Sequence, residues 1–458
     1  MDTLAAKRAS LEGGKTTSRE LVEVSLAAAT DPSGEGARTF TRIYAESARR
    51  AADAIDQQRQ YGVSAKPLLG LPISIKDLFD VAGEPTPAGS TVLADAPPSR
   101  KDAEAIRRLR AAGAVLVGRT NMTEFAFSGL GINPHYGTPL NPYDRANGHI
   151  PGGSSSGAAI SVTDGMAAAA IGSDTGGSLR IPAALCGLTG FKPTASRVSL
   201  DGVLPLSGSL DSVGSIAPRV ACCALMDAVL SGQTSGPLDR CDLVGLRFGI
   251  LQGYVLDGLE AHVARRFQAA LSILSQAGAY LEDIQFSALA EIPECNAKGG
   301  FAAFESYAWH RQLIEQRGEQ YDPRVLSRIL RGKEMSLGDY LQFGTARRRI
   351  LSEAERAFED SDVWLLPTVP RVAPLISELV SNDAAYFEAN AAMLRNPSVF
   401  NFLDGCALSI PCHLPGEAPV GIMIGAPGNQ DQKLLRIGFA VEAALAKAGC
   451  AIPARGRP

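Results

Sequence analysis

Histidine and tryptophan are scarce in this chain, five and two among 458 residues. The histidines (His135, His149, His262, His310, His413) are scattered and form no HExxH, which speaks against a metal enzyme. Eight cysteines form neither a CxxC nor a Cys/His cluster of zinc-finger spacing. In a chain of this size they are expected as reduced, buried thiols and not as a disulfide framework. A basic excess is missing too: Lys plus Arg is 44 against 48 for Asp plus Glu, a net charge of −4. Nothing therefore points to nucleic acid or an anionic membrane as partner. Long apolar runs are also lacking. The first fifteen residues hold no signal-peptide core, and nothing approaches the ~20 apolar residues of a membrane helix. The richest short run, 220–230, contains Asp227 and reads as a buried helix. The chain is expected in solution, in the cytoplasm. Glycine (47) and proline (28) recur at no fixed period, which excludes collagen-like and wholly disordered chains.

What remains is globular: 45% apolar and 20% charged residues. Helical and strand patterns alternate. Thr17 and Glu20 form a capping box before a helix. Residues 71–76 (LPISIK) alternate as a strand ending at Lys76. Asp102 opens a helix carrying Ile106 and Leu109, Gly113 stops it, and 114–118 reads as a buried strand. Strand 246–251 precedes a helix with Val263, Phe267, Leu271 and Leu274. Another strand begins near Tyr280, and a last helix spans about 434–448. Strands separated by helices imply parallel pairing and an α/β layered fold. The stretch 290–400 is the least regular and reads as an elaboration on a core.

Residues 145–215 stand out. Two small-residue clusters, 152–157 (GGSSSG) and 173–178 (SDTGGS), bound an apolar, Ala-rich segment. As flexible loops they would lie between domains; flanking buried segments, they instead let backbone approach a ligand. A phosphate-binding P-loop is excluded because neither cluster supplies the Gly-Lys pair. Residues 153–157 match GxSxG with Ser155 as nucleophile. That motif needs a preceding strand, and the residues before it are polar and broken by Pro142 and Pro151. A third reading uses both clusters and a distant lysine. The turn Gly176-Gly177-Ser178 can converge backbone N–H groups on one point beside the Ser178 hydroxyl, as a tetrahedral oxyanion requires. The hydroxyl needs a base, and no histidine is near in sequence. Lys76 qualifies, because Leu71, Pro72, Ile73, Ile75, Leu78 and Phe79 surround it with apolar groups and burial brings a lysine toward neutrality. Taken alone, a lysine at this place reads first as an exposed strand-end side chain.

These features resemble the amidase signature family of serine hydrolases. The resemblance runs from near residue 10 almost to the C-terminus. It rests on the 24-residue spacing from Ser154 to Ser178 and on segments 69–90, 113–142, 186–199, 362–370 and 419–425. It implies one domain over 1–458, with a catalytic core at about 60–220 and a variable helical wall at about 290–400. The implied fold is an α/β/α sandwich around a mixed, largely parallel sheet with helices on both faces. It also implies a Ser–cis-Ser–Lys triad: Ser178 attacks and forms an acyl-enzyme, Ser154 on a cis peptide relays the proton, and Lys76 is the base. The oxyanion hole maps onto the N–H groups of Thr175, Gly176, Gly177 and Ser178. Ser155 steadies the network, Ser128 lines the acyl pocket, and Asp174, Arg180 and Arg197 are orienters near the site. Ser156 and Ala158 depart from the family pattern, which has glycine and serine there, without removing a triad member.

No metal or organic cofactor is implied. Relatives cleave aliphatic amides, aryl acylamides, indoleacetamide, allophanate, fatty-acid amides and carbamates. The expected reaction is hydrolysis of a C–N acyl bond in a small or aromatic amide, anilide or carbamate (urethane), by a monomer or homodimer. Phe301, Phe304, Tyr307, Trp309, Tyr340 and Phe343 either wall the pocket or make ordinary core contacts, the second being at least as good a reading for any one of them. Two rivals are the glutaminase subunit of a tRNA-dependent amidotransferase and a non-catalytic binding subunit on the same fold.

Overall fold

Alternation along residues 72–76 decides how the chain is laid down. Ile73 and Ile75 enter the same core cluster as Ile106 and Leu109. Ser74 and Lys76 point the other way, as side chains two apart on a strand must. Ser74 Oγ shares a 2.8 Å hydrogen bond with Ser161 Oγ, on helix Ser156–Thr163. This strand is therefore covered on both faces. The computed structural model describes residues 1–61, 66–233 and 241–451.

Eleven strands build one sheet: β1 Phe40–Ile43, β2 Pro72–Lys76, β3 Val115–Thr120, β4 Ala169–Ser173, β5 Thr189–Lys192, β6 Val213–Ala217, β7 Arg247–Leu251, β8 Tyr280–Ile284, β9 Val363–Pro367, β10 Cys406–Pro411 and β11 Gly421–Ala426. Their order is β1-β3-β2-β4-β6-β5-β10-β11-β9-β7-β8. This is the mixed α/β sheet that the sequence leads one to expect, but its parallel share is smaller. β2 pairs in parallel with β3 and β4, and β7 with β8 and β9. The pairings from β4 across to β9, and the β1–β3 edge, are antiparallel. The two antiparallel pairs that are consecutive in sequence lack a helical crossover: β5 and β6 are joined through a three-residue 3₁₀ turn, Ala195–Arg197, and β10 and β11 by a hairpin. Parallel neighbours need a long crossover instead.

Local expectations hold closely at several ends. Thr17 and Glu20 close a capping box on helix Ser18–Thr30. The apolar run at 220–230 is helix Val220–Ser231. Gly113, at φ +85°, follows helix Glu104–Ala111. Asp102 differs: it does not cap that helix but accepts from Ala82 N–H at 2.9 Å and pairs with Arg110. The stretch 290–400 is mostly helical, with Gly300–Arg317, Pro323–Leu330, Leu337–Phe358 and Asp383–Arg395. It also contributes β9, which lies inside the sheet between β11 and β7. Among the described residues, no helix is long and apolar enough to cross a membrane.

Candidate active site

β2 and β4 are parallel neighbours with Ile75 opposite Ile171, so both leave the sheet at the same edge. In open α/β sheets that carboxyl edge is where ligands bind. Lys76 ends β2 and Ser173 ends β4. Lys76 Nζ donates to Ser173 Oγ at 2.9 Å and to Ser154 Oγ at 2.7 Å. The amine is fully buried, which discards the exposed strand-end reading. Burial disfavours its charge and pulls it from 10.5 to about 7, against the opposing pull of Asp174 and Asp211.

Ser154 follows a cis peptide bond with Gly153. Gly153 is required by space: a Cβ there would lie 2.4 Å from the Gly131 nitrogen. Thr123 N–H donates to Ser154 O at 3.1 Å, which anchors this turn from a third segment. The next residue ties the two small-residue clusters together, because Ser155 N–H donates to Ser178 O at 3.3 Å. Ser155 Oγ also donates to Ser173 O at 3.4 Å.

Asp174 organises the turn that carries Ser178. Its carboxylate accepts from Gly177 N–H (2.8 Å), Leu179 N–H (3.1 Å), Arg180 Nε (3.0 Å) and Nη2 (2.9 Å), and Asn401 Nδ2 (2.9 Å). Burial alone would raise this carboxyl; Arg180 beside it outweighs that and holds it below the usual carboxylate range. Gly177 therefore departs from expectation as an oxyanion donor, since its hydrogen is directed to Asp174. Its φ of +125° lets the turn close. The N–H groups of Thr175, Gly176 and Ser178 are not engaged by any of the described residues. Thr175 Oγ1 donates to Asp211 at 2.5 Å, and burial lifts Asp211 to about 6 against that bond and those from the Leu206 and Ser207 amides.

Ser178, Thr175 and Gly176 open on a cavity of about 700 Å³. Ser128 lines it and donates to Asn390 Oδ1 at 3.0 Å. Arg197 does not reach it; this side chain pairs with Asp227 at 2.6 Å. The wall is drawn largely from 290–400, but none of the six candidate aromatic residues lines it. They face one another and other segments instead. Phe301 and Phe304 pack on Tyr340, and Trp309 packs on Phe125 and His310. Tyr340 also donates to Glu305, which accepts from Ser207 and Ser209. The apolar lining comes from Phe127, Leu206, Tyr254, Ala302 and Phe402.

A family profile described as Amidase matches residues 21–435. This chain belongs to the amidase family. It is a hydrolase acting on C–N bonds. A 2-amino-5-chloromuconic acid deaminase of Comamonas testosteroni is 36% identical over 403 residues, spanning 87% of this chain and 86% of the relative. A glutamyl-tRNA(Gln) amidotransferase subunit of Chloroflexus aurantiacus is 36% identical over 478 aligned positions, 96% of each chain. The crystal structure of an amidase superimposes with a TM-score of 0.87 at 31% identity, covering 96% of this chain and 99% of that one.

Several residues of this amidase escape a reading of the sequence. Ser173 is the second acceptor for Lys76, and its place in the 173–178 cluster at a strand end could have disclosed it. Asp211 and Asn401 brace the turn from 36 and 227 residues away in sequence, and no spacing announces them. The same is true of Arg328, Arg331 and Arg395, which line the cavity from separate elements.

Proposed function

We propose that this amidase hydrolyses the C–N acyl bond of a small amide, anilide or carbamate through an acyl-enzyme on Ser178. One observation carries the reading: a fully buried Lys76 lies 2.7 Å from Ser154 Oγ, in the loop hydrogen-bonded to Ser178. Ser178 Oγ attacks the carbonyl carbon while its proton passes to Ser154, whose own proton goes to neutral Lys76. The oxyanion takes hydrogen bonds from the free N–H groups of the 175–178 turn, each worth ~3–4 kcal/mol at comparable sites. As the C–N bond breaks, the leaving nitrogen takes a proton back through Ser154. Water, deprotonated along the same path, then releases the acyl group as an acid. The cavity is lined mainly by carbon and suits a small organic acyl or amine group.

The test is active-site labelling. A serine-directed fluorophosphonate should modify Ser178, and Ser178→Ala should lose both the label and the burst of product. An undiminished burst in that variant would refute the assignment. A second reading, glutaminase component of an amidotransferase, is favoured by the likeness to the Chloroflexus protein over 96% of both chains. It predicts glutamine hydrolysis only with the other components added, whereas the first predicts anilide turnover by the isolated chain.

A further inference from the structure

The cavity beside Ser178 is unevenly charged. Arg328, Arg331 and Arg395 line it, with Glu388 as the one acidic lining residue. Glu388 is already paired with Arg371 at 2.9 Å, outside the cavity. None of the three lining arginines makes an ion pair among the described residues. Arg331 is exposed, and its Nη2 donates to the Ala297 carbonyl.

The other two are held in place but incompletely satisfied. The guanidinium of Arg328 lies over the Phe127 ring, 4.5 Å from its centroid, and its Nη1 is buried without a hydrogen-bond partner. Arg395 Nε donates to Asn396 Oδ1 at 3.0 Å, and its Nη2 is likewise buried and unpartnered. Asn396 is fixed in turn, because its amide donates to Val255 O and Pro367 O, both at 2.9 Å. A buried donor without an acceptor costs free energy that a ligand oxygen can recover. Two guanidinium groups in a cavity with no unpaired carboxylate fit a planar, charged acceptor.

We propose that Arg328 and Arg395 form a carboxylate subsite, so that the preferred substrate carries an acid group in addition to its scissile C–N bond. This rests on Ser178 being the nucleophile, since it takes the shared cavity as the acyl-transfer site. Burial lowers Arg328 to about 10, well above neutrality, so the group stays cationic under working conditions. The subsite sets which acyl or amine group is held; the chemistry at Ser178 is unchanged by it.

Two measurements on the full chain test this. The first compares kcat/KM for N-(4-nitrophenyl)succinamic acid with that for butyric 4-nitroanilide, its neutral counterpart of similar length. The acid should be preferred at least tenfold, mostly through KM. Arg328→Gln and Arg395→Gln should each reduce kcat/KM for the acid at least tenfold more than for the neutral anilide. Equal rates for the two substrates, or equal losses in the variants, would overturn the subsite. The second measures binding of glutarate by calorimetry, with no turnover required. Wild type should bind it, and Arg328→Lys and Arg395→Gln should weaken it about tenfold or more; absence of binding to the wild type counts against the subsite. Fluorophosphonate labelling in the same samples separates the two ideas. A labelled chain that neither prefers the acid nor binds glutarate loses only the subsite, while an unlabelled, inactive chain that binds glutarate loses the nucleophile.

Discussion

The two sides of the cavity are built by opposite rules. On the sheet side, around β2, β4 and the 152–157 and 173–178 turns, the charged side chains are buried and matched, and among the described residues only the backbone N–H groups of Thr175, Gly176 and Ser178 in the 173–178 turn are left open. Lys76 has two hydroxyl acceptors, and Asp174 accepts from five donors. On the helical side, drawn from 290–400, small apolar residues alternate with arginines whose buried nitrogens are left open. Chemistry that develops charge needs groups already fixed, and recognition needs groups still to be satisfied. On the proposed reading, the reaction belongs to the sheet side and its selectivity to the helical side.

The sharpest way to break that contrast is at Lys76. Lys76→Ala should cut kcat/KM by about 10²–10⁴-fold while leaving the circular-dichroism spectrum unchanged. In the wild type the amine is protonated below about 7 and neutral above it. A base must be neutral, so kcat/KM should climb roughly tenfold per pH unit below that point and level off above it. A profile without that rise would remove Lys76 from the relay. If the variant fails to fold, the lysine is structural.

Next in size is Asp174→Ala, which leaves the Arg180 guanidinium buried without its partner. It should destabilise the chain by ~3–5 kcal/mol, read as a drop in the urea midpoint. A midpoint within error of wild type would mean that the sheet side is not held as tightly as its hydrogen bonds imply. The smallest effect is expected on the aromatic cluster behind the wall. Tyr340→Phe removes only the hydrogen bond to Glu305 and should cost about 1 kcal/mol or less. It should leave the ranking of substrates untouched, because Tyr340 does not line the cavity next to Ser178. A changed ranking would place the aromatic cluster back among the selectivity elements.

The sheet side is largely legible in the sequence because it is written in local signals. The period-two pattern of 71–76 places Lys76 at a strand end, and the glycine–serine clusters mark backbone in close quarters. The Gly177 hydrogen bond is not legible: four consecutive N–H groups look alike until the Asp174 carboxylate selects one. The antiparallel centre is hidden because alternation of strands and helices reports spacing, not direction. The wall misleads because aromatic residues on a helix announce burial but not which neighbour buries them. Phe304 finds Tyr340, 4.7 Å away between ring centroids. Arg197 follows the same logic, being claimed by Asp227 on a distant helix. Arg328 and Arg395 come from two helices with no common period, and only the folded chain brings them to one cavity.

The parallel alignment of β2 with β4 also has a consequence for assembly. The contacts from Lys76 to Ser154 and Ser173 span 78 and 97 residues of chain. Closing such loops costs entropy before any contact repays it, and non-local pairing of this kind is slow. The amine can meet both hydroxyls only once the 97 residues that follow it are available to fold back. A polypeptide still emerging during synthesis, released only as far as residue 150, has the lysine in hand and nothing for it to hold.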